Sequence, residues 1–228
     1  DDVKNYADSS YVKSYYYTTS IGVNASNLEA ATSNDNNAKG PGGNNTKQVS
    51  TTSFTLEGYS SIEAMEEFIE GSYTITDGEI SSDFTSNNCI INSELATLNN
   101  LSVGDTITIT DPNNSKLTYT FTITGIFEES SNSSDKGMSM FSNSANTIIT
   151  NTTAVENIYN KDNDLKMTVN PTFVLNDKSD IEAFQNELTD KGLSEYLSLS
   201  TNLDQVNSAT SSISNVKTFA TTFLIITL

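Results

Sequence analysis

The sequence predicts an α+β protein whose α/β frame is interrupted by an inserted β-rich module. Three observations carry this. Strand-like alternation over 11–23 stands alone near the start. A strand-rich stretch with short helices fills 49–150. Then comes a strand at 167–176, a helix at 180–191, a strand at 196–201 and a helix from 203. With 228 residues, 35% hydrophobic content, ten Tyr and ten Phe, the chain has material for one large core or two small ones.

Each element has a local reason. Tyr15, Tyr17, Thr19, Ile21 and Val23 alternate with Tyr16, Thr18, Ser20 and Gly22, the period-2 pattern of a strand. The run 33–47, SNDNNAKGPGGNNTK, is turn-forming and lacks apolar periodicity, so it reads as a loop. Asp35 there has no downstream Glu at the spacing of a calcium loop. A second strand is expected over 49–57. Ser60 followed by Glu63 is a capping-box pattern, with Ile62, Met65 and Ile69 on one face and Gly71 as terminator.

The same pattern recurs at Thr153–Glu156, opening a short helix through Tyr159. It recurs again at Ser179–Glu182, where Ile181, Phe184 and Leu188 form the buried stripe and Gly192 the stop. The strongest β signal is the pair 106–110 and 117–124. Leu117, Tyr119, Phe121 and Ile123 alternate with four threonines, and Asp111-Pro112-Asn113-Asn114 supplies the turn between them. Pro171 cannot donate to a ladder, which puts 167–176 at an edge or a bulge.

Composition removes several functions. There is no His, the usual general base and commonest metal ligand, and one cysteine, Cys89, which reads as a small buried hydrophobe. The formal net charge is −18 with eleven lysines and no arginine, so a phosphate-binding role toward nucleic acid is excluded. Glu128 and Glu129 are neighbours on a strand and point to opposite faces, as solvated charges do rather than a catalytic pair. The readings are therefore no enzyme, no cofactor and no metal. Asn, Ser and Thr number 91 together, and such a surface suits an exposed compartment.

At the C-terminal end Leu203, Val206, Ala209, Ile213, Val216, Ala220 and Phe223 recur at helical spacing and run into TFATTFLIITL over 218–228. This is too short to span a bilayer, which takes about 20 apolar residues. The expectation is a stalk helix entering a truncated transmembrane helix.

The stretch 70–128 carries a further pattern. Gly71, Tyr73 and Asp77 form a first block. Ile90, Ile91 and Leu95 lead to Leu101, Val103, Gly104 and Asp105, and a strand ends on Ile123, Gly125, Ile126 and Phe127. Leu95, Leu98 and Leu101 are expected to line a short helix, Gly104-Asp105 to make a tight turn, and Gly125 to relieve crowding at a bend. These blocks resemble the MacB-like extracytoplasmic core of FtsX/MacB-type ABC transporter permeases.

The resemblance implies a porter-like subdomain from 1–48 and 165–217, interrupted by a sabre-like β-rich subdomain over 49–164. It also implies flanking membrane helices, a cytoplasmic ATPase, a second permease copy, and an extracytoplasmic place on a bacterial cell membrane. The role would be mechanical, passing ATP-driven motion to an exported peptide or lipid or to an envelope protein. An adhesin-like module binding protein or carbohydrate is the other reading the residues allow. Met138, Met140 and Phe141, set in the polar run 128–144, are the candidate partner contacts.

Overall fold

The computed structural model describes residues 2–31, 52–80, 85, 87–130, 144–162 and 164–193. The loop expected over 33–47, the strand at 196–201, the helix from 203 and the apolar segment 218–228 lie outside them. The chain divides into two compact units, Asp1–Thr18 with Val169–Leu228, and Thr19–Thr168.

Eight strands form one mixed sheet: β1 (Val12–Ala25), β2 (Phe54–Tyr59), β3 (Tyr73–Gly78), β4 (Asn88–Asn92), β5 (Thr106–Thr110), β6 (Thr118–Glu129), β7 (Thr147–Asn151) and β8 (Met167–Leu175). The order is β2-β7-β4-β6-β5-β1-β8, with β3 added on β6. Because β1 also pairs with β2, the path within Thr19–Thr168 returns on itself and encloses one apolar interior. Ile21, Leu56, Ile91, Ile109, Ile123 and Ile148 meet there, each at most 2% exposed. The β5–β6 hairpin has the expected antiparallel register, with Ile107 opposite Phe121 and Thr108 opposite Thr120.

The centre of this unit repeats one device. β4 ends on Asn92, whose side chain accepts from Glu94 N and caps α3 (Ser93–Asn99). β7 ends on Asn151, whose side chain accepts from Ala154 N and caps α4 (Thr152–Tyr159). The two strands run antiparallel, Ile90 opposite Ile149. Each has a parallel partner outside it, β6 beside β4 and β2 beside β7. An Asn at the last strand position thus starts each helix without a connecting loop.

Several local expectations need correction. The segment after β2 is not one helix: a 3-10 turn (Ile62–Ala64) and a four-residue α-helix (Glu66–Ile69) meet at Met65, whose φ −83°, ψ 58° breaks the run. Met65 is buried, but Ile62 is 48% and Ile69 65% exposed. The break rotates the second turn, so the stripe read from spacing does not form. Leu98, 42% exposed, likewise leaves the inner face of α3 to Leu95 and Ala96. The cap of α4 is Asn151 rather than Thr153. The capping box ahead of α5 (Ile181–Asp190) is made by Asp177 and Asp180 rather than Ser179 and Glu182. In both cases a strand-ending or extended residue reaches the first free N–H groups before the expected one does.

Two glycine sites shape β6. Gly104, at φ +96°, turns the chain into β5, with its N–H on Ile123 O at 2.8 Å and Asp105 Oδ2 accepting from Ser102 N. Opposite, β6 skips Thr124 against β4, and Gly125 pairs with Gly78 of β3 at a bulge-bearing crossing.

Asparagine side chains then strap the chain leaving β1 along this unit. Asn27 Oδ1 accepts from Thr108 N, and Asn27 Nδ2 donates to Thr106 O. Asn146 pairs with both backbone groups of Ala31 at 2.8 and 2.9 Å. An amide offers one donor and one acceptor side by side, so it can stand in for a neighbouring strand.

The other unit holds α1 (Asp2–Ala7), the start of β1, most of β8, and α5. Phe173, Leu175, Phe184, Leu188 and Leu193 form its core, with Tyr6, Tyr11 and Ile181 against them. β8 occupies the end of the strand path, a position compatible with Pro171.

Candidate functional site

Met138, Met140 and Phe141 lie outside the described residues. What the structure describes is where their segment leaves and rejoins the fold. Ser130 N donates to Ser72 O at 2.8 Å, and Ser130 Oγ to Gly71 O at 2.8 Å. Ser144 Oγ donates to Glu129 Oε2 at 2.7 Å. Both ends are thus pinned at the same corner, where β6 finishes beside the start of β3. Glu128 and Glu129, opposite Thr74 and Tyr73 at that corner, are exposed.

An aromatic cluster underlies the corner. Phe68, Tyr73 and Phe127 meet pairwise with ring centroids 4.7 to 5.6 Å apart. Phe127 is fully buried, so the cluster ties the four-residue helix, which we number α2 (Glu66–Ile69), and β3 to the end of β6. The exposed side of the same segment carries Ile62 and Ile69 with Glu63 and Glu70.

Next to the aromatics sits a group of carboxylates and phenols. Tyr59, at the end of β2, donates its hydroxyl to Glu67 Oε2 at 3.4 Å. Glu57, two residues earlier on the same strand, is pushed up to about 7, first by burial and then by the charge of Glu67, with the Tyr59 hydroxyl bond acting against both. Tyr59 is held far above the ordinary phenol range by burial and by both glutamates. Tyr73 is pushed up to about 12 by burial, then by Glu67, Glu129 and Glu57. Sequence reading missed this group because Glu57, Glu67 and Tyr73 come from three elements; the only hint was a Glu inside the apolar alternation of β2.

Cys89 is fully buried on β4, and burial pushes its thiol up, away from thiolate chemistry. Among the described residues no helix is long and apolar enough to cross a membrane.

The model of the MacB-like periplasmic core domain family matches residues 7–191. The chain belongs to that family. Over 199 residues it is 30% identical to a protein of Bacillus subtilis (strain 168) named "Uncharacterized ABC transporter permease YclI", in an alignment covering 80% of this chain and 40% of that protein. The chain therefore spans well under half the length of that relative. Among solved structures, the periplasmic region of MacB from Actinobacillus actinomycetemcomitans is similar, at 14% identity and TM-score 0.44, over 95% of this chain and 83% of that one. So is the extracellular domain of the noncanonic ABC-type transporter YknZ from Gram-positive bacteria, at 13% identity and TM-score 0.43, over 85% and 84%. The chain is thus a MacB-like periplasmic core domain of mixed α+β architecture.

Proposed function

We propose that this domain is a non-catalytic mechanical element of an ABC transporter permease, coupling cytoplasmic ATP hydrolysis to export or to an envelope partner. The observation that carries the reading is the family match over 7–191, together with a 30% identical relative named as a permease. A cytoplasmic ATPase and a second permease copy are the partners this role requires. The division into a porter-like part (1–48 with 165–217) and a β-rich insertion (49–164) belongs to the same proposal. It is supported by the compactness of the unit Thr19–Thr168, which also takes in the second half of β1.

Within that role, the segment carrying Met138, Met140 and Phe141 is the proposed partner contact. Its flanking residues support this: Ser130 and Ser144, on either side of the segment, are both anchored at one corner of the fold.

The coding DNA on both sides of the chain is the first test. Apolar stretches of about 20 residues directly before Asp1 and after Thr218, with an ATPase gene alongside, are expected; a stop codon at the end and a signal peptide at the start would overturn the reading. For the contact, simultaneous replacement of Met138, Met140 and Phe141 by Ala in the full transporter should abolish transport while leaving the fold intact. Unchanged transport would remove these residues from the role.

A further inference from the structure

One strand of the unit Thr19–Thr168 has an open side. Around the closed path each of β2, β4, β5, β6 and β7 has a strand on both sides, whereas among the described residues β3 pairs with β6 alone. The register tells which backbone groups face outward. Ser130 N donates to Ser72 O at 2.8 Å, so Ser72 and Ser130 form a hydrogen-bonded pair of the antiparallel ladder. Such pairs alternate along a ladder. Thr74 therefore turns its N–H and C=O toward Glu128, while Tyr73 and Ile75 turn theirs away from β6. Each of these two residues offers one donor and one acceptor along the open side. The open stretch is short, because a bulge follows between Ile75 and Asp77, and Asp77 Oδ1 accepts from Gly78 N at 2.9 Å.

Charge sorts the strands that could add there. Glu70 before β3, Asp77 within it and Glu79 after it are exposed, and exposed Glu128 lies opposite Thr74. Neither 52–80 nor 118–130 contains a lysine. A second copy of this edge would set like charges against each other, which is how proteins keep open strands from pairing with themselves. A segment rich in Lys or Arg meets the opposite situation: its backbone extends the ladder while its cations face the carboxylates.

We propose that the outer edge of β3 takes up an extended, basic segment of a partner polypeptide by strand addition. Tyr73 and Ile75 supply the backbone hydrogen bonds, and Glu70 and Glu79 the flanking charges. The site uses none of Met138, Met140 and Phe141, and it does not depend on the mechanical role of the domain.

A short peptide alternating Lys and Val is the probe, since alternation favours an extended strand with one cationic face. Added to the intact chain, it should bind saturably and more weakly as salt rises. Amide exchange at Tyr73 and Ile75 should slow, while Thr74, already bonded to β6, keeps its rate. Methylating alternate backbone nitrogens of the peptide preserves its charge and removes its ladder donors, so the protection should vanish. Replacing its Lys by Glu should do the same. Glu70→Gln combined with Glu79→Gln, both at exposed positions, should weaken the Lys-Val peptide about tenfold at low salt, as two surface charge contacts are lost together. Equal affinity of the methylated peptide would reduce the interaction to charge alone and overturn the proposal. So would the absence of saturable binding, or protection that misses Tyr73 and Ile75. The same protection in concentrated protein without peptide would make the occupant a second copy, which also overturns it.

Discussion

Asn99 and Glu29 face each other through two hydrogen bonds: Glu29 N donates to Asn99 Oδ1 at 2.6 Å, and Asn99 Nδ2 donates to Glu29 O at 2.9 Å. The side-chain amide does for Glu29 what a neighbouring strand would do. Asn146 repeats this for Ala31, so the chain beyond β1 is held by amides rather than by a sheet ladder.

Replacing Asn146 by Ala removes both bonds to Ala31 at once. The expected cost is about 1–2 kcal/mol, as for two neutral hydrogen bonds in a part-buried setting. Urea unfolding gives the stability change, and amide exchange at Ala31 should accelerate while exchange in β6 follows only the global shift.

Gly78 provides a steric prediction. It sits at φ +72°, and a Cβ there would collide with the Thr124 carbonyl oxygen and stand 3.0 Å from Gly125 Cα. Gly78→Ala therefore combines a left-handed backbone with a clash against backbone that cannot yield. A loss of about 2–4 kcal/mol is expected, read as a lowered denaturation midpoint. Gly104→Ala, at φ +96° but with open space around it, should cost only about 1 kcal/mol.

Glu57 sets a pH dependence with a definite sign. Its folded-state value of about 7 lies above the 4.5 of an ordinary glutamate, so the folded protein binds more protons than the unfolded chain between those limits. The contribution of Glu57 is complete below about 4.5 and is lost as pH rises through 7. Stability at pH 8 should fall below that at pH 5 by at most about 3 kcal/mol from this group. Glu57→Gln should flatten the profile and stabilise the protein at pH 8; an unchanged slope in urea titrations would contradict this.

Lys191 provides a fourth test. Its Nζ reaches Glu187 Oε1 at 2.8 Å and donates to the carbonyl oxygens of Asn5 and Asp8, holding the end of α1 against the end of α5. Ser9 Oγ adds a bond to Glu187 Oε2 at 2.9 Å. Because the side chains are partly exposed, Lys191→Met should cost only about 1 kcal/mol. Amide exchange at Asp8 and Ser9 should nevertheless rise markedly, locating the loss at α1.

The elements legible in the sequence were those whose signal is local. Phe121 and Ile123 alternating with threonines announced the β5–β6 hairpin, and Asp111 its turn, because neighbours in sequence are there neighbours in the sheet. The closure of the sheet was not legible, since β2 and β4 find parallel partners far along the chain, in β7 and β6. Spacing also misplaced Ile62 and Ile69: a periodicity gives a face only while the helix is unbroken, and Met65 breaks it. The Glu57, Tyr59, Glu67 and Tyr73 group failed for the same reason as the sheet. Its members become neighbours only after three separate elements have packed.

The pairing of β2 with β7 sets the tempo of folding. Thr55 aligns with Thr147 and Tyr59 with Asn151, so β2 emerges early in synthesis and has no such partner until nearly the whole of Thr19–Thr168 has followed. Non-local pairing of this kind should slow folding, because the loop-closure entropy is paid before the strand contacts reward it. During that wait the Phe54 and Leu56 strand is an open edge for association with another nascent copy. Refolding yield should therefore drop with protein concentration well before stability does, and a chain severed before residue 147 should aggregate rather than fold.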